Sequence, residues 1–181
     1  MLRTFLDRLY LFSGFAAGGF LIVIFILMMI LSAGRPIGIN LPAGDDFVSW
    51  CMAATAFLGL AHTFRYGEMI RVGLLIDRLD GRAKHVVEIA ALIIGTFFTG
   101  FFAYYAVRMT YDSWRFNDMA QGVLAVPLWI PQLGYCGGLV ILWIAFVDEL
   151  IHVLRGNLPR YEKPKPTTAE EVVEQAIHSG V

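Results

Sequence analysis

The chain alternates between long runs of apolar side chains and shorter segments that are rich in polar, charged, Gly and Pro residues. The apolar runs predict helices over about residues 9–33, 47–64, 87–107 and 125–150, with ionisable side chains only near their ends. A helix needs roughly 20 apolar residues to cross the hydrocarbon core of a bilayer, so each run is long enough to span it. The predicted fold class is therefore an all-α integral membrane protein with four transmembrane helices.

The first apolar run lies where a signal peptide would lie, but it is longer than the apolar region of a signal peptide. Signal peptides carry an apolar region of about 7–15 residues. This run contains the unbroken sequence FLIVIFILMMIL over residues 20–31 and continues before it. We therefore expect a retained transmembrane helix.

Lys and Arg residues are distributed unevenly among the segments that separate the apolar runs. Eleven of the 14 lie in the N-terminal segment, in the connection between the second and third runs, or in the C-terminal tail. Only Arg35, Arg108 and Arg115 lie in the other two connections. Because positively charged loops stay on the cytoplasmic side, both termini are predicted to be cytoplasmic, which agrees with an even number of crossings.

The positively charged connection has the pattern of an amphipathic helix over about residues 68–84. Its apolar side chains form one stripe at helical spacing: Met69, Val72, Leu75, Ile76 and Leu79. Arg71, Arg78 and Arg82 fall on the opposite face. Such a helix lies in the membrane interface, so we expect these three arginines to contact lipid headgroups.

The domain organisation follows from these segments. Residues 1–156 hold all four predicted spans and the interfacial helix, and are expected to form one membrane domain. Residues 157–181 are polar and contain three prolines, which predicts a flexible cytoplasmic tail. Asp45 and Asp46 directly precede the second span, where carboxylates cap free N–H groups and complement the helix dipole.

The composition leaves little room for a water-facing surface. Of the 181 residues, 57% are hydrophobic and only 16% are charged, and the mean hydropathy is +0.64. A soluble domain has about a quarter of its residues charged. The formal net charge of −1 gives no indication of nucleic-acid binding.

No residue pattern in the sequence indicates catalysis, a metal or a cofactor. Cys51 and Cys136 lie inside apolar runs and match neither a metal-ligand spacing nor a disulfide framework. His62 lies near the end of its span, whereas a haem between helices would need paired histidines in the core. The middles of the spans lack the ionisable groups that couple an ion to a solute. These absences predict a non-enzymatic scaffold or partner-binding subunit.

Two pairs of small residues have the spacing that lets membrane helices approach closely. Gly14 and Gly18 lie in the first span, and Gly134 and Gly138 lie in the fourth. Such pairs most often pack the helices of the protein itself. We favour that role here over contact with a partner helix.

Several segments resemble the small membrane subunit, of DctQ type, of tripartite ATP-independent periplasmic (TRAP) transporters. The matching segments are GRP (34–36), DDFVSW (45–50), FLGLA (57–61), RYGEMIRV (65–72), LIDRL (75–79) and VPLWIP (126–131). The residues that carry the resemblance are Gly34, Arg35, Asp46, Trp50, Gly59, Arg65, Gly67, Asp77, Leu79 and Pro127. Met69 and Gly73 stand where the family pattern has His and Asp.

The resemblance implies a role in transport without a transport site. Such a subunit pairs with a large membrane subunit (M type) that carries the site, in the bacterial inner membrane. A periplasmic substrate-binding protein (P type) delivers an organic acid to the pair, and an ion gradient, usually of sodium, drives uptake. The small subunit enlarges the scaffold against which the large subunit moves.

The resemblance makes the connections on the outer side candidates for docking the binding protein. Arg35, Asp112, Arg115 and Asp118 are charged residues of these connections, and rim charges steer encounter between proteins. Two other functions remain open at this point. The chain could anchor a respiratory enzyme complex in the membrane, or it could be an autonomous four-helix exporter.

Overall fold

A computed structural model describes residues 2–34, 36, 38, 41–65 and 82–156, with the backbone alone for residues 2–4, 82 and 83. The described part contains four α-helices, which are α1 (Leu2–Gly34), α2 (Gly44–Arg65), α3 (Arg82–Arg115) and α4 (Trp129–Leu154). All four are long and apolar enough to cross a membrane. At about 1.5 Å per residue, even α2 is about 33 Å long, so the predicted all-α, four-span fold is confirmed.

Parts of the predicted architecture fall outside the described residues. These are the tail (157–181) and the interfacial helix (68–84), except for residues 82–84, which form the first turn of α3. The orientation of the termini relative to a membrane and the interfacial position of that helix stay predictions.

The helices stand side by side in the order α1, α2, α4, α3. Among the described residues, α2 packs against α1 and α4, and α4 packs against α2 and α3. The first helix touches α4 only slightly, and α3 reaches the others almost entirely through α4. The result is an open row with α1 and α3 at its two edges and with α2 and α4 at its centre.

Small side chains line the surfaces between the helices. Six of the buried side chains are alanines: Ala17, Ala54, Ala61, Ala103, Ala106 and Ala145. The large apolar side chains of α1 mostly point outward, as Phe12 and Phe25 do. Lipid tails are as apolar as leucine, so no hydrophobic force drives large side chains inward, and small residues determine how closely helices approach.

The fourth helix starts at Trp129 rather than near residue 125, because residues 118–128 form a hairpin-like connection. The N–H of Leu128 donates to the carbonyl of Asp118 at 2.9 Å, and the N–H of Ala120 donates to that of Val126 at 2.8 Å. Met119 and Pro127 also form an isolated antiparallel bridge. We call residues 118–128 the outer hairpin, after the side of the membrane on which the sequence predicts this connection to lie.

Candidate functional site

Charged residues at one end of the row join three helices. Arg65, the last residue of α2, donates from Nη2 to Oδ1 of Asp7 on α1 at 2.9 Å. Its Nη1 lies 3.9 Å from Oε2 of Glu149 on α4. The side chain of Glu149 is only 4% exposed, whereas that of Asp7 is 54% exposed. Arg65 therefore neutralises a buried carboxylate on α4 and a half-exposed one on α1, and we call these three residues the Arg65 cluster.

A second contact between α1 and α2 lies next to the Arg65 cluster. Nδ1 of His62 is 3.3 Å from the carbonyl oxygen of Tyr10, and both Tyr10 and Ser13 are buried. A methyl group on Gly14 would lie 2.7 Å from Nδ1 of His62. The absence of a side chain at Gly14 thus makes room for the imidazole ring between the two helices.

The other glycines of the small-residue pairs differ in their surroundings. A side chain on Gly138 would overlap the backbone of Phe57 on α2, and a methyl on Gly134 would lie 2.6 Å from Cβ of Ala54. A side chain on Gly18 would meet no described atom within 4 Å. Both glycines of the α4 pair therefore lie where α2 and α4 approach, whereas Gly18 faces open space.

The opposite end of the row carries the charged residues predicted to dock a partner. Oδ2 of Asp112 lies 3.9 Å from Nε of Arg108, Arg115 ends α3, and Asp118 starts the outer hairpin with its side chain exposed. The fold thus brings Asp112, Arg115 and Asp118 together around the end of α3. Arg35 lies outside the described residues.

The connection after α3 also exposes apolar side chains. They are those of Phe116, Met119, Val123 and Leu124. The hairpin folds back over the start of α2, where the carboxylate of Asp46 occupies the space beside Gly122. A mixed apolar and charged surface is therefore held at this end of the row.

The remaining residues of the family motif lie near the same end or between helices. Gly34 ends α1 and is buried, and the rings of Trp50 and Phe47 meet edge to face at 5.2 Å. A methyl on Gly59 would lie 3.8 Å from Cβ of Ala17. Besides Arg35, five predicted site residues lie outside the described part, namely Gly67, Arg71, Asp77, Arg78 and Leu79. The structure describes Arg82, the first residue of α3, by its backbone alone.

Two apolar grooves open along the row. One, of about 250 Å³, lies between α1, α2 and α4 and is lined by Phe20, Trp50, Ile130 and neighbouring apolar residues. The other, of about 410 Å³, lies between α2, α3 and α4. Within the described residues, no three His, Cys, Asp or Glu side chains come together as metal ligands. These grooves suit apolar chains rather than a polar substrate.

Residues 22–156, 135 of the 181 residues, match the family model described as tripartite ATP-independent periplasmic transporters, DctQ component. The chain belongs to the DctQ family. It is thus a small membrane subunit of a TRAP transporter and a multi-pass membrane protein, and the resemblance predicted from its motifs is confirmed. No curated protein matches the chain.

Three residues that make contacts at the two ends of this DctQ subunit were not predicted from the sequence as site residues. They are Asp7, Gly122 and Glu149, which contact Arg65 or Asp46. For Glu149 a signal existed, since the topology places it and Arg65 at the same ends of their helices. For Gly122 the sequence offered none, because nothing in the residue pattern links the outer hairpin to α2.

Proposed function

We propose that this DctQ subunit is a non-catalytic scaffold for the large membrane subunit of its transporter. In this proposal an ion gradient, with sodium as the coupling ion, drives uptake of an organic acid across the bacterial inner membrane. A periplasmic substrate-binding protein delivers the acid and docks at the outer end of the row. The observation that carries the proposal is the open row itself, whose broad faces and edge helices expose large apolar side chains for a second membrane protein.

Polar side chains within the spans support a passive role. Thr55, Thr96 and Thr99 each donate a hydrogen bond of 2.7–2.8 Å to the carbonyl oxygen four residues earlier in the same helix. Their hydroxyl protons are therefore satisfied locally. The buried carboxylates Glu88 and Glu149 lie near helix ends. Coupling needs groups deep in the membrane that bind the ion and the solute, and the described spans offer none at mid-depth.

The proposed orientation places the Arg65 cluster in the cytoplasm and the outer hairpin in the periplasm. The uneven distribution of Lys and Arg supports it. A cysteine at Asn117, in a background without Cys51 and Cys136, should react with a membrane-impermeant thiol reagent added to intact cells. Labelling only after the cells are opened would reverse the orientation.

The decisive experiment separates a scaffold from a transporter. Reconstituted alone in liposomes, the subunit should take up no organic acid under a sodium gradient. Reconstituted with its large subunit and binding protein, the same preparation should restore uptake, and the two membrane subunits should copurify in mild detergent. Uptake by the isolated subunit above that of empty liposomes would refute the scaffold role.

A further inference from the structure

The charged residues near the end of α3 do not lie level with those at the outer end of α2. Met109 of α3 and Phe57 of α2 line the same groove, and Phe57 lies near the middle of α2. From Phe57, α2 continues outward for 11 residues to Asp46, which is about 16 Å at about 1.5 Å per residue. Arg108, next to Met109, therefore lies beside the charge-free outer half of α2.

The inner ends of the same two helices differ in level in the same direction. The ring of Phe146 on α4 stacks on Phe64 of α2 at 4.1 Å, and a methyl on Gly95 of α3 would lie 2.6 Å from Cε1 of that ring. Phe64 directly precedes Arg65, whereas α3 continues inward from Gly95 for six more uncharged residues, to Ile89. Six residues correspond to about 9 Å. The charge-free part of α3 is thus shifted by about this distance toward the inner end of the row.

The aromatic residues of the outer half show the same shift. Trp and Tyr are enriched where a helix crosses the surface of a membrane. On α2 this position is held by Trp50, seven residues outward from Phe57, which is about 10 Å. On α3 the exposed residues Tyr104 and Tyr105 lie within about one turn of Arg108, and Tyr105 lines the groove together with Phe57. Aromatic and charged residues therefore indicate the same displacement of α3.

The side chain of Arg108 belongs to a face of α3 that points away from the other described helices. It is 62% exposed and lies 3.9 Å from Asp112, whose side chain is 47% exposed. Phe97, Phe101 and Tyr104, all exposed, precede Arg108 at the spacing of three or four residues that keeps side chains on one helix face. Because charged side chains are costly in hydrocarbon, a polar group must meet Arg108 at this edge of the row.

We propose that the subunit lies obliquely in the membrane and that phospholipid headgroups of the outer leaflet contact Arg108. The guanidinium of Arg108 donates to a lipid phosphate, and the membrane surface meets α3 at Arg108 but α2 at Asp46. Arg108 thus lies at the membrane surface and not at mid-depth. Transmembrane helices are tilted by about 20° on average, so such a placement is ordinary. A partner helix over Arg108 would not explain the matching shifts of the tyrosines and of the inner end. The proposal is independent of the scaffold role, because only the placement in the bilayer enters it.

The accessibility of spin labels in the complete transporter, reconstituted in liposomes, tests the oblique placement. Tyr111 on α3 and Met52 on α2 are both exposed, and each lies five residues outward from a residue of the groove between α2, α3 and α4. The two positions are therefore about level within the subunit. In a background lacking Cys51 and Cys136, a label at Tyr111 should be several-fold more accessible to a water-soluble nickel complex than a label at Met52. A label at Tyr111 that is as shielded as the one at Met52, whether by hydrocarbon or by the large subunit, would overturn the proposal.

Removal of the charges tests the role of Arg108 itself. Arg108→Leu together with Asp112→Leu extends the charge-free part of α3 to residue 114, so hydrocarbon can cover more of the helix. The nickel accessibility of the label at Tyr111 should then fall toward that of the label at Met52. Asp118→Leu, which removes an exposed charge beyond the end of α3, is the matched control and should leave the accessibility unchanged. An accessibility that stayed high in the double variant would show that Arg108 does not hold the headgroups at this level, and the assignment would be wrong.

Discussion

The first and fourth helices are both strongly apolar, yet they occupy opposite situations in the row. In α1, the most apolar of the four, 6% of the most apolar window is buried, whereas in α4 the share is 33%. The difference follows from the neighbours of each helix among the described residues, since α4 packs against both α2 and α3, whereas α1 packs almost entirely against α2. Hydropathy places a helix in the membrane, but close contact with another helix depends on side chains that let the backbones approach.

The centre of the row shows this rule at particular positions. On α4, Gly134 and Gly138 meet Ala54 and the backbone at Phe57 of α2. On α1, Gly14 meets His62 and Ala17 lies opposite Gly59 of α2, whereas a methyl on Gly18, one turn after Gly14, would meet no described atom within 4 Å. The outer surface of α1 is therefore available to lipid or to another membrane protein.

The largest effect is expected when α4 receives a large side chain at the position where it comes closest to α2. Gly138→Leu should separate α2 from α4, because the backbone at Phe57 cannot yield as a flexible side chain can. Overpacking of this kind costs about 1–3 kcal/mol or more, so we expect loss of most folded subunit, measured as monodisperse yield and thermal stability in detergent. Gly137→Leu, one residue earlier and with open space beside it, is the control. Equal damage from both would mean that the α2–α4 contact is not the reason.

A smaller loss of stability should follow from substitutions in the Arg65 cluster, and its size should differ between the pair with Glu149 and the pair with Asp7. Arg65→Met removes the guanidinium that lies 3.9 Å from the buried carboxylate of Glu149, and breaking a buried pair costs about 3–5 kcal/mol. Because Arg65 is 21% exposed and lies 3.9 Å from Glu149, we expect about 2 kcal/mol, read as a lower Tm in detergent.

Asp7→Asn is the control for the Arg65 cluster and removes only the pair with α1. Its carboxylate is 54% exposed, and exposed pairs contribute about 0–1 kcal/mol. A loss as large as that of Arg65→Met would show that the edge helix depends on the cluster as much as the central helix does.

The smallest effect on the isolated subunit should come from the outer face of α1. Phe15→Ala together with Phe25→Ala, at side chains 73% and 63% exposed, should leave the Tm of the subunit unchanged but reduce copurification with the large subunit. The matched pair Phe97→Ala and Phe101→Ala on α3, the other edge, removes similar exposed rings. If only the α3 pair reduced copurification, the partner would lie on that edge instead.

The existence of four helices was predictable because the thickness of a bilayer sets a length that an apolar run either reaches or does not. Their order in space was not, because it depends on the fit of single glycines and alanines that occur throughout the chain. The start of α4 was also misplaced, since the apolar sequence AVPL at 125–128 continues the run although its backbone belongs to the outer hairpin. Apolar character alone does not distinguish helix from an extended segment.

The candidate site was predictable only in part. Charge patterns identified Asp112, Arg115 and Asp118, which the fold brings to one end, and the family motif identified Asp46 and Arg65. The partners of the last two, Gly122 and Glu149, come from distant parts of the chain. Long-range pairs of this kind depend on the packing of α2 against α4, which a single sequence does not reveal.

The order of the helices in space also has a consequence for biogenesis. The ribosome delivers α3 before α4, yet among the described residues α3 packs almost entirely against α4. A nascent chain that ends at residue 115 would hold α1 and α2 already paired, while α3 would lack the helix that makes nearly all of its contacts among the described residues. The third helix must therefore wait in lipid, or at the insertion machinery, until the fourth arrives and fills the space between it and α2.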